Sequence, residues 1–471
     1  MVGIESYGTY VPRFRLERAA IASALGGPAG KGSRAVASYD EDSLSLAVEA
    51  ARQVVDEATQ VDGVLFVTAT PPYLDKTNAT TLHAALGIRS AAFAYDVLGS
   101  VRSGIGALRS AIDGAHQGRR TLVASADVRT GLPGSTDESQ GGDAAAALLI
   151  GPGSGVAEFI ANSSVSAEFL DRWRLPGEQE SYTWEERFGE EVYLPLAVQA
   201  ITEVLTNAGI GINEVAHIVV SGLNARANKK LGARLEVRPE KITPDLAGTV
   251  GNTGCAQQGL ILASVLDRAL PGEPILMVSL ADGADALLLQ TTAALPAYRA
   301  RRPASPTRWL NVDYPDFLTW RGILRRQPPR RPDPDPPAPP AALRASGWKF
   351  GFSGSRCNLC GYLHLPPIRK CQSCGAVDRM TPQPLSHIPA RIAAFTIDRL
   401  SYSLNPPVVV AVVDFEGGGR FQCEMTDVDP HTVAVGDRVE MTFRRLYTAR
   451  GVHNYFWKVR PLDASTGEEE H

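Results

Sequence analysis

Over the first ~295 residues, short runs of aliphatic and β-branched residues alternate with stretches where Ala and Leu recur at helical spacing, separated by Gly-rich turns. Short apolar runs read as strands and a period near 3.6 reads as helix, so the alternation predicts a layered α/β domain. The pattern also repeats in order. VDGVLFVTAT from Val61 is answered by VAHIVVSGLN from Val215, and FAYDVLGSVRSGIGALRSAIDGA from Phe93 by PDLAGTVGNTGCAQQGLILASVLDRA from Pro244. GGDAAAALLIG from Gly141 is answered by DGADALLLQ from Asp282, and the turn residue Gly104 matches Gly254. Three landmarks in one order predict a duplicated α/β fold.

The character of the chain then changes. Pro328 to Pro340 (PPRRPDPDPPAPP) holds eight prolines in thirteen residues and predicts a stiff, extended linker without helix. Beyond it, Val408–Val413, Arg438–Phe443 and Tyr455–Val459 alternate as strands, and about five strands in ~75 residues predict a small β-barrel. The expected organisation is an α/β domain over 1–295, a linker over 296–345, a short Cys-rich unit over 346–385, a barrel over 386–462 and a disordered tail over 463–471.

Composition narrows the function. At 471 residues the chain exceeds one compact core, and 44% apolar with 21% charged residues is ordinary for a globular protein. No run approaches the ~18 apolar residues of a membrane span, and the N-terminus lacks the pattern of a secretory signal, so the expected location is the cytoplasm, with no membrane partner. Net charge −4, from 47 basic and 51 acidic residues, offers no global attraction for nucleic acid.

Four of six cysteines fall within eighteen residues: Cys357 and Cys360, ten intervening residues, then Cys371 and Cys374. Two Cys-x-x-Cys pairs, each followed by glycine (Gly361, Gly375), can bring four thiolates to one tetrahedral centre, which points to structural zinc. Elsewhere, Cys255 reads as a buried small residue, and His83, His116 and His217 lie in ordinary helical or strand-edge sequence.

The turn Gly251-Asn252-Thr253, the stretch Ala126-Asp127 through Gly134 to Gly142-Asp143-Ala144, and Pro72-Tyr73 with Lys76 resemble the thiolase superfamily, in its hydroxymethylglutaryl-CoA synthase and ketoacyl synthase III branch. The resemblance covers residues 1 to about 295. It implies acyl-CoA as substrate, a homodimer through this domain, and a Cys nucleophile at a helix N-terminus with a His and an Asn polarising the thioester oxygen. The chain departs from that set. Val101 stands where the Cys belongs, Ser221 where the His belongs, and Ala69 where hydroxymethylglutaryl-CoA synthases carry a Glu. Asn252 remains, with Tyr73 and Tyr95 as candidate acid/base groups, while Ser100 and Ser103 read as residues of the turn.

The Cys pairs, Pro366-Pro367, the Gly417-Gly418-Gly419 hairpin and Gly436-Asp437 resemble the zinc-ribbon/OB-fold family called domain of unknown function 35 over roughly 317–461, which implies company with a thiolase-fold enzyme. Phe421, Phe443, Tyr447, Tyr455, Phe456 and Trp457 with Arg444, Arg445 and Arg450 offer stacking surfaces, but an adenine ring needs the same surfaces, and neighbouring thiolase-like sequence favours CoA over nucleic acid. The expected activity is aldol or retro-aldol chemistry beside an acyl-CoA thioester without an acyl-enzyme. The alternatives are a non-catalytic acyl-CoA-binding scaffold for a partner thiolase, and a hydroxymethylglutaryl-CoA synthase-like acyltransferase.

Overall fold

The computed structural model describes residues 1–27, 30–56, 58–302, 309–327, 329 and 334–462. The expected tail 463–471, together with 328 and 330–333 of the proline-rich stretch, lies outside them. The chain divides into two units, Met1–Ala37 with Asp42–Leu82 and Arg89–Pro303, and Ser38–Glu41 with His83–Ile88 and Ala304–His471.

The first unit is built on one nine-stranded sheet. Its strands in chain order are β1 (Val2–Tyr10), β2 (Gly63–Thr68), β3 (Phe93–Leu98), β4 (Thr121–Asp127), β5 (Ala144–Pro152), β6 (Ala157–Ser166), β7 (His217–Gly222), β8 (Pro274–Leu280) and β9 (Gly283–Thr291). Across the sheet they run β7-β8-β9-β6-β1-β5-β4-β2-β3. Read outward from the β6–β1 seam, β1, β5, β4 and β2 are answered by β6, β9, β8 and β7, which is the duplication expected from the sequence. The match breaks only at the ends. β3 pairs with β2 in parallel over six residues, whereas its counterpart survives as a single parallel bridge between Ile218 and Ile242.

The helices follow the same logic. The first, α1 (Ser43–Ala51), is buried at every residue, and Asp42 caps it by accepting from the Ser45 amide. Two related helices, α2 (Ser103–His116) and α3 (Gln257–Leu266), feed one core with Ile105, Leu108, Ile112, Ile261, Leu262 and Val265 against Val67, Val123, Leu287 and Leu289 of the sheet. Glu186–Ala208 buries Tyr193, Ala197, Ile201 and Val204 in a second core with Ile218, Val278 and Leu288. Alternation is lost on the central strands because both faces are covered.

In the second unit, Ser353–Cys357, Leu363–His364 and Met380–Pro384 form a three-stranded ribbon. Ala390–Asp398, Val408–Phe415, Arg420–Met425, Val452–Pro461 and Arg438–Ala449, in that spatial order, close into the expected five-stranded barrel. The Gly417–Gly419 turn joins two of these strands with all three φ angles positive, which glycine adopts without strain. Phe443, Tyr455 and Trp457 are core, and Arg444 is fully buried in ion pairs with Asp40, Glu41 and Asp427, so these side chains are not available as a base-stacking surface.

The segment expected as a linker, 296–345, is not without structure. It holds the helix Tyr314–Trp320, capped by Asp313, and the start of the helix Pro339–Gly351. The proline run was expected to exclude helix, yet Pro339 and Pro340 open one. First-turn N–H groups have no intrahelical partner, so proline costs nothing there. No described helix is long and apolar enough to cross a membrane.

Candidate active site and metal centre

The landmark turns of the two half-folds meet at the heads of α2 and α3. Cys255 Sγ lies 3.7 Å from the Ser100 carbonyl oxygen, and a Cβ at Gly104 would be 3.4 Å from that of Cys255. The hub between them is Asp127, fully buried at the end of β4. Its carboxylate accepts from the Thr68 hydroxyl at 2.9 Å and from the amides of Ala69 at 2.7 Å and Cys255 at 2.8 Å. Gly254 sits at φ 58° against this carboxylate, and a Cβ there would lie 2.2 Å from it, so only glycine fits.

A cleft of about 960 Å³ opens beside this hub. Asn252 lines it. Its side-chain amide donates to the Gly222 carbonyl at 2.9 Å and its oxygen accepts from the Gly254 amide at 3.0 Å. One of its two N–H groups is thereby used and the rotamer is held. The backbone of Asn252 bridges to Gly141, its N–H donating to the Gln140 carbonyl and its carbonyl accepting from the Gly142 amide, which joins the two halves. Arg129, the turn Gly131–Gly134, Asp137 and the Tyr182–Thr183 strand also line the cleft; Arg172 clamps Asp137 at 2.6 and 2.7 Å. Arg174 donates to the Ala69 carbonyl, and burial, with the like charge of Arg129 next, lowers its pKa.

The remaining sequence candidates lie outside the lining of this cleft. Val101 is half-buried and packs against the core. Ser221 is 5% exposed and donates to the Val278 carbonyl, and Ala69 is buried. The Ser100 oxygen accepts from the Arg102 amide and Ser103 donates to the Leu98 carbonyl, so both hold the turn. Tyr95 is 61% exposed on the edge strand β3, stacked on Phe93, and Tyr73 is half-buried in a loop whose amide is held by Asn78. Burial and the neighbouring Asp127 push the Cys255 thiol well up, which keeps it protonated. Among the described residues no histidine lines the cleft; His217 contacts Glu273 at 2.9 Å, His116 ends α2, and His83 sits in the helix Ala79–Ala85. Sequence reasoning missed Asp127 as a hub and Arg129 and Arg174 as its cationic neighbours. The available signal was two arginines closely following Asp residues that end or precede strands.

In the second unit, the sulfur atoms of Cys357, Cys360, Cys371 and Cys374 all lie within 4.8 Å of one another, with Cys357–Cys374 and Cys360–Cys371 at 3.6 Å. A tetrahedron of Zn–S bonds of 2.3 Å puts its sulfurs about 3.8 Å apart, so the cluster has the size zinc requires. The charge balance agrees. Amides of Cys360 and Leu359 draw Cys357 down to about 7. The Ala376 amide favours the Cys374 thiolate, but the neighbouring sulfurs, led by Cys360, outweigh it and push that thiol up to about 12. Four thiolates this close need a cation.

Residues 205–290 match the family described as 3-Oxoacyl-[acyl-carrier-protein (ACP)] synthase III C terminal, and residues 383–444 match ChsH2, C-terminal OB-fold domain. A hydroxymethylglutaryl-CoA synthase of Thermococcus gammatolerans is 30% identical over 341 residues, covering 69% of this chain and 96% of the relative. One from Pyrobaculum neutrophilum is 27% identical over 348 residues, with 69% and 98% covered. Among solved structures, a hydroxymethylglutaryl-CoA synthase complexed with CoA superposes with a TM-score of 0.61 at 17% identity, over 68% of this chain and 89% of that one. MvaS in complex with 3-hydroxy-3-methylglutaryl coenzyme A also gives 0.61, at 20% identity, over 71% and 94%. The hydroxymethylglutaryl synthase of curacin biosynthesis, in complex with a holo donor acyl carrier protein, gives 0.58 at 20% identity, over 68% and 88%.

Proposed function

The chain belongs to the hydroxymethylglutaryl-CoA synthase family, and from that premise we propose that it acts on acyl-CoA in the Asn252 cleft, making or breaking a C–C bond beside the thioester without an acyl-enzyme. In the cleavage direction a β-hydroxyl gives up its proton, the Cα–Cβ bond breaks, and its electron pair moves toward the thioester oxygen as an enolate. Protonation at Cα then completes the step and leaves a shorter acyl thioester and a carbonyl compound. The observation that carries this assignment is Asn252. Its amide is fixed by two hydrogen bonds and keeps one N–H for an oxygen in the cleft, the geometry an oxyanion requires. Glu180, Tyr182, Glu186 and Asp245 on the walls are the groups at hand for proton transfer.

The relatives' own activity favours the synthase-like acyltransferase alternative. Against it stand Val101, which has no nucleophilic atom, and the protonated Cys255. Zinc at the four cysteines is structural in this proposal, because all four positions of a tetrahedron are filled by the chain. The exposed side chains of Tyr95 and Leu98 on the edge strand β3 make that edge the place where a second copy or a partner thiolase would join. The test is turnover of a panel of β-hydroxyacyl-CoA thioesters, with product analysis. Release of a shorter acyl-CoA supports the proposal; tight acyl-CoA binding without turnover by any member identifies the chain as a scaffold.

A further inference from the structure

The sulfurs of the ribbon do not share equal surroundings. Cys371 is 1% exposed, and two nitrogens approach its Sγ, the Cys374 amide at 3.5 Å and the ring nitrogen Nε2 of His364 at 3.4 Å. The amide contact belongs to the Cys-x-x-Cys turn and recurs in the other knuckle, where the amides of Cys360 and Leu359 face Cys357. The histidine contact does not recur. His364 lies seven residues after Cys357, and the residue seven after Cys371 is Asp378, an exposed carboxylate paired with Arg369.

The ribbon places this ring. His364 ends the short strand Leu363–His364 and stands opposite Ser355 of the strand Ser353–Cys357, which leads into the first knuckle. From there its ring reaches a sulfur of the second knuckle, so one contact ties the two knuckles together. His364 is buried, its ring centroid is 4.7 Å from that of Tyr362, and among the described residues Cys371 Sγ is the only polar partner of its side chain. It is not one of the four groups that share the centre. The chemistry of the cluster fixes the direction of the bond. A zinc-bound thiolate has lost its proton and offers only lone pairs, so the nitrogen beside it acts as a donor. Four thiolates on one divalent cation carry a net negative charge, and an N–H aimed at one sulfur disperses part of it.

Resting on the zinc assignment above, we propose that His364 is a positioning residue of the metal centre, whose Nε2–H donates to the Cys371 thiolate and slows the loss of zinc from the ribbon. The test follows zinc transfer from the loaded full chain to a chromophoric chelator, beside zinc content and melting of each variant. His364→Phe keeps a ring without a donor and is expected to release zinc about ten- to a hundredfold faster than wild type. His364→Gln brings an amide N–H near the position of Nε2 and is expected to restore most of the slow release. Wild-type rates in both variants overturn the proposal, and so does an equal loss in both, which assigns the ring a packing role. A second readout needs no variant to fold. With 15N-labelled histidine and cadmium in place of zinc, Nε2 of His364 in the wild-type chain should show the shift of a protonated ring nitrogen; a bare Nε2 overturns the proposal whatever the rates. Should His364→Phe take up no metal, that nitrogen shift decides. A wild-type chain that takes up no zinc contradicts the metal assignment itself, whereas full zinc content with any of the contrary results removes only the role of His364.

Discussion

At the scale of single residues, the chemistry left in the cleft depends on a few hydrogen bonds. Asn252 is oriented by Gly222 and Gly254, and a preorganised donor to a developing oxyanion is worth about 3–4 kcal/mol. Asn252→Ala should therefore lower turnover about 10²–10³-fold while zinc content and melting temperature stay near wild type; near-normal turnover would place the active site elsewhere. Asn252 was legible in the sequence because its Gly-Asn-Thr turn is a compact motif. Arg129 was not, since nothing in its local sequence distinguishes a solvated arginine from a buried one; that difference comes from Gly141 and Gly254 closing over it. Asp40 shows the same dependence on distant partners. It is fully buried in the second unit, where Lys458 at 3.0 Å and Arg444 at 3.3 Å overcome the burial cost and hold it at about 2. Because that lies below its ordinary value of 3.8, Asp40 stabilises the fold above about pH 4, and this contribution, about 2 kcal/mol, is lost as the pH falls through 2. Urea melts between pH 5 and 2 should show a slope that Asp40→Asn flattens.

At the scale of elements, the patterns that specify one backbone path were readable and those that depend on company were not. The Cys-x-x-Cys knuckles define their own turns, with Gly361 and Gly375 at positive φ, so the four-sulfur cluster followed from spacing alone. One zinc per chain is expected by metal analysis. The double change Cys357→Ser with Cys374→Ser should abolish it and melt the ribbon, whose few buried residues cannot hold it without metal. Full zinc retention in that variant would rule out this ligand set. The proline-rich stretch misled for a physical reason: composition excludes helix interiors, but a helix may begin at any proline, as Pro339–Gly351 does. The half-fold symmetry was legible in three landmarks, whereas the reduction of β3's counterpart to one bridge at Ile242 was not, because a single bridge leaves no run of alternating or apolar residues to mark it.

At the scale of the whole molecule, the duplicated sheet brings the heads of α2 and α3 together, with Cys255 Sγ 3.7 Å from the Ser100 carbonyl oxygen and Val101 packed against the core. The charged groups lining the cleft with Asn252 are of both signs, Arg129, Arg172 and Lys229 with Asp137, Glu180, Glu186 and Asp245. The fold followed from hydrophobic pattern and repeat, since many weak signals agree along hundreds of residues. The site did not, because it is assembled from loops far apart in sequence, 129–141, 172–186, 222–228 and 252–257, and their convergence has no local signature. The most direct test of chemistry without an acyl-enzyme is one quenched reaction with a β-hydroxyacyl-CoA substrate, read by mass spectrometry for protein and small molecules together. The expected result is a shorter acyl-CoA and its carbonyl partner accumulating over many turnovers while the protein mass stays unmodified. An acyl adduct that forms and decays at the rate of turnover, mapped to Ser100, Ser103 or Cys255, would contradict it.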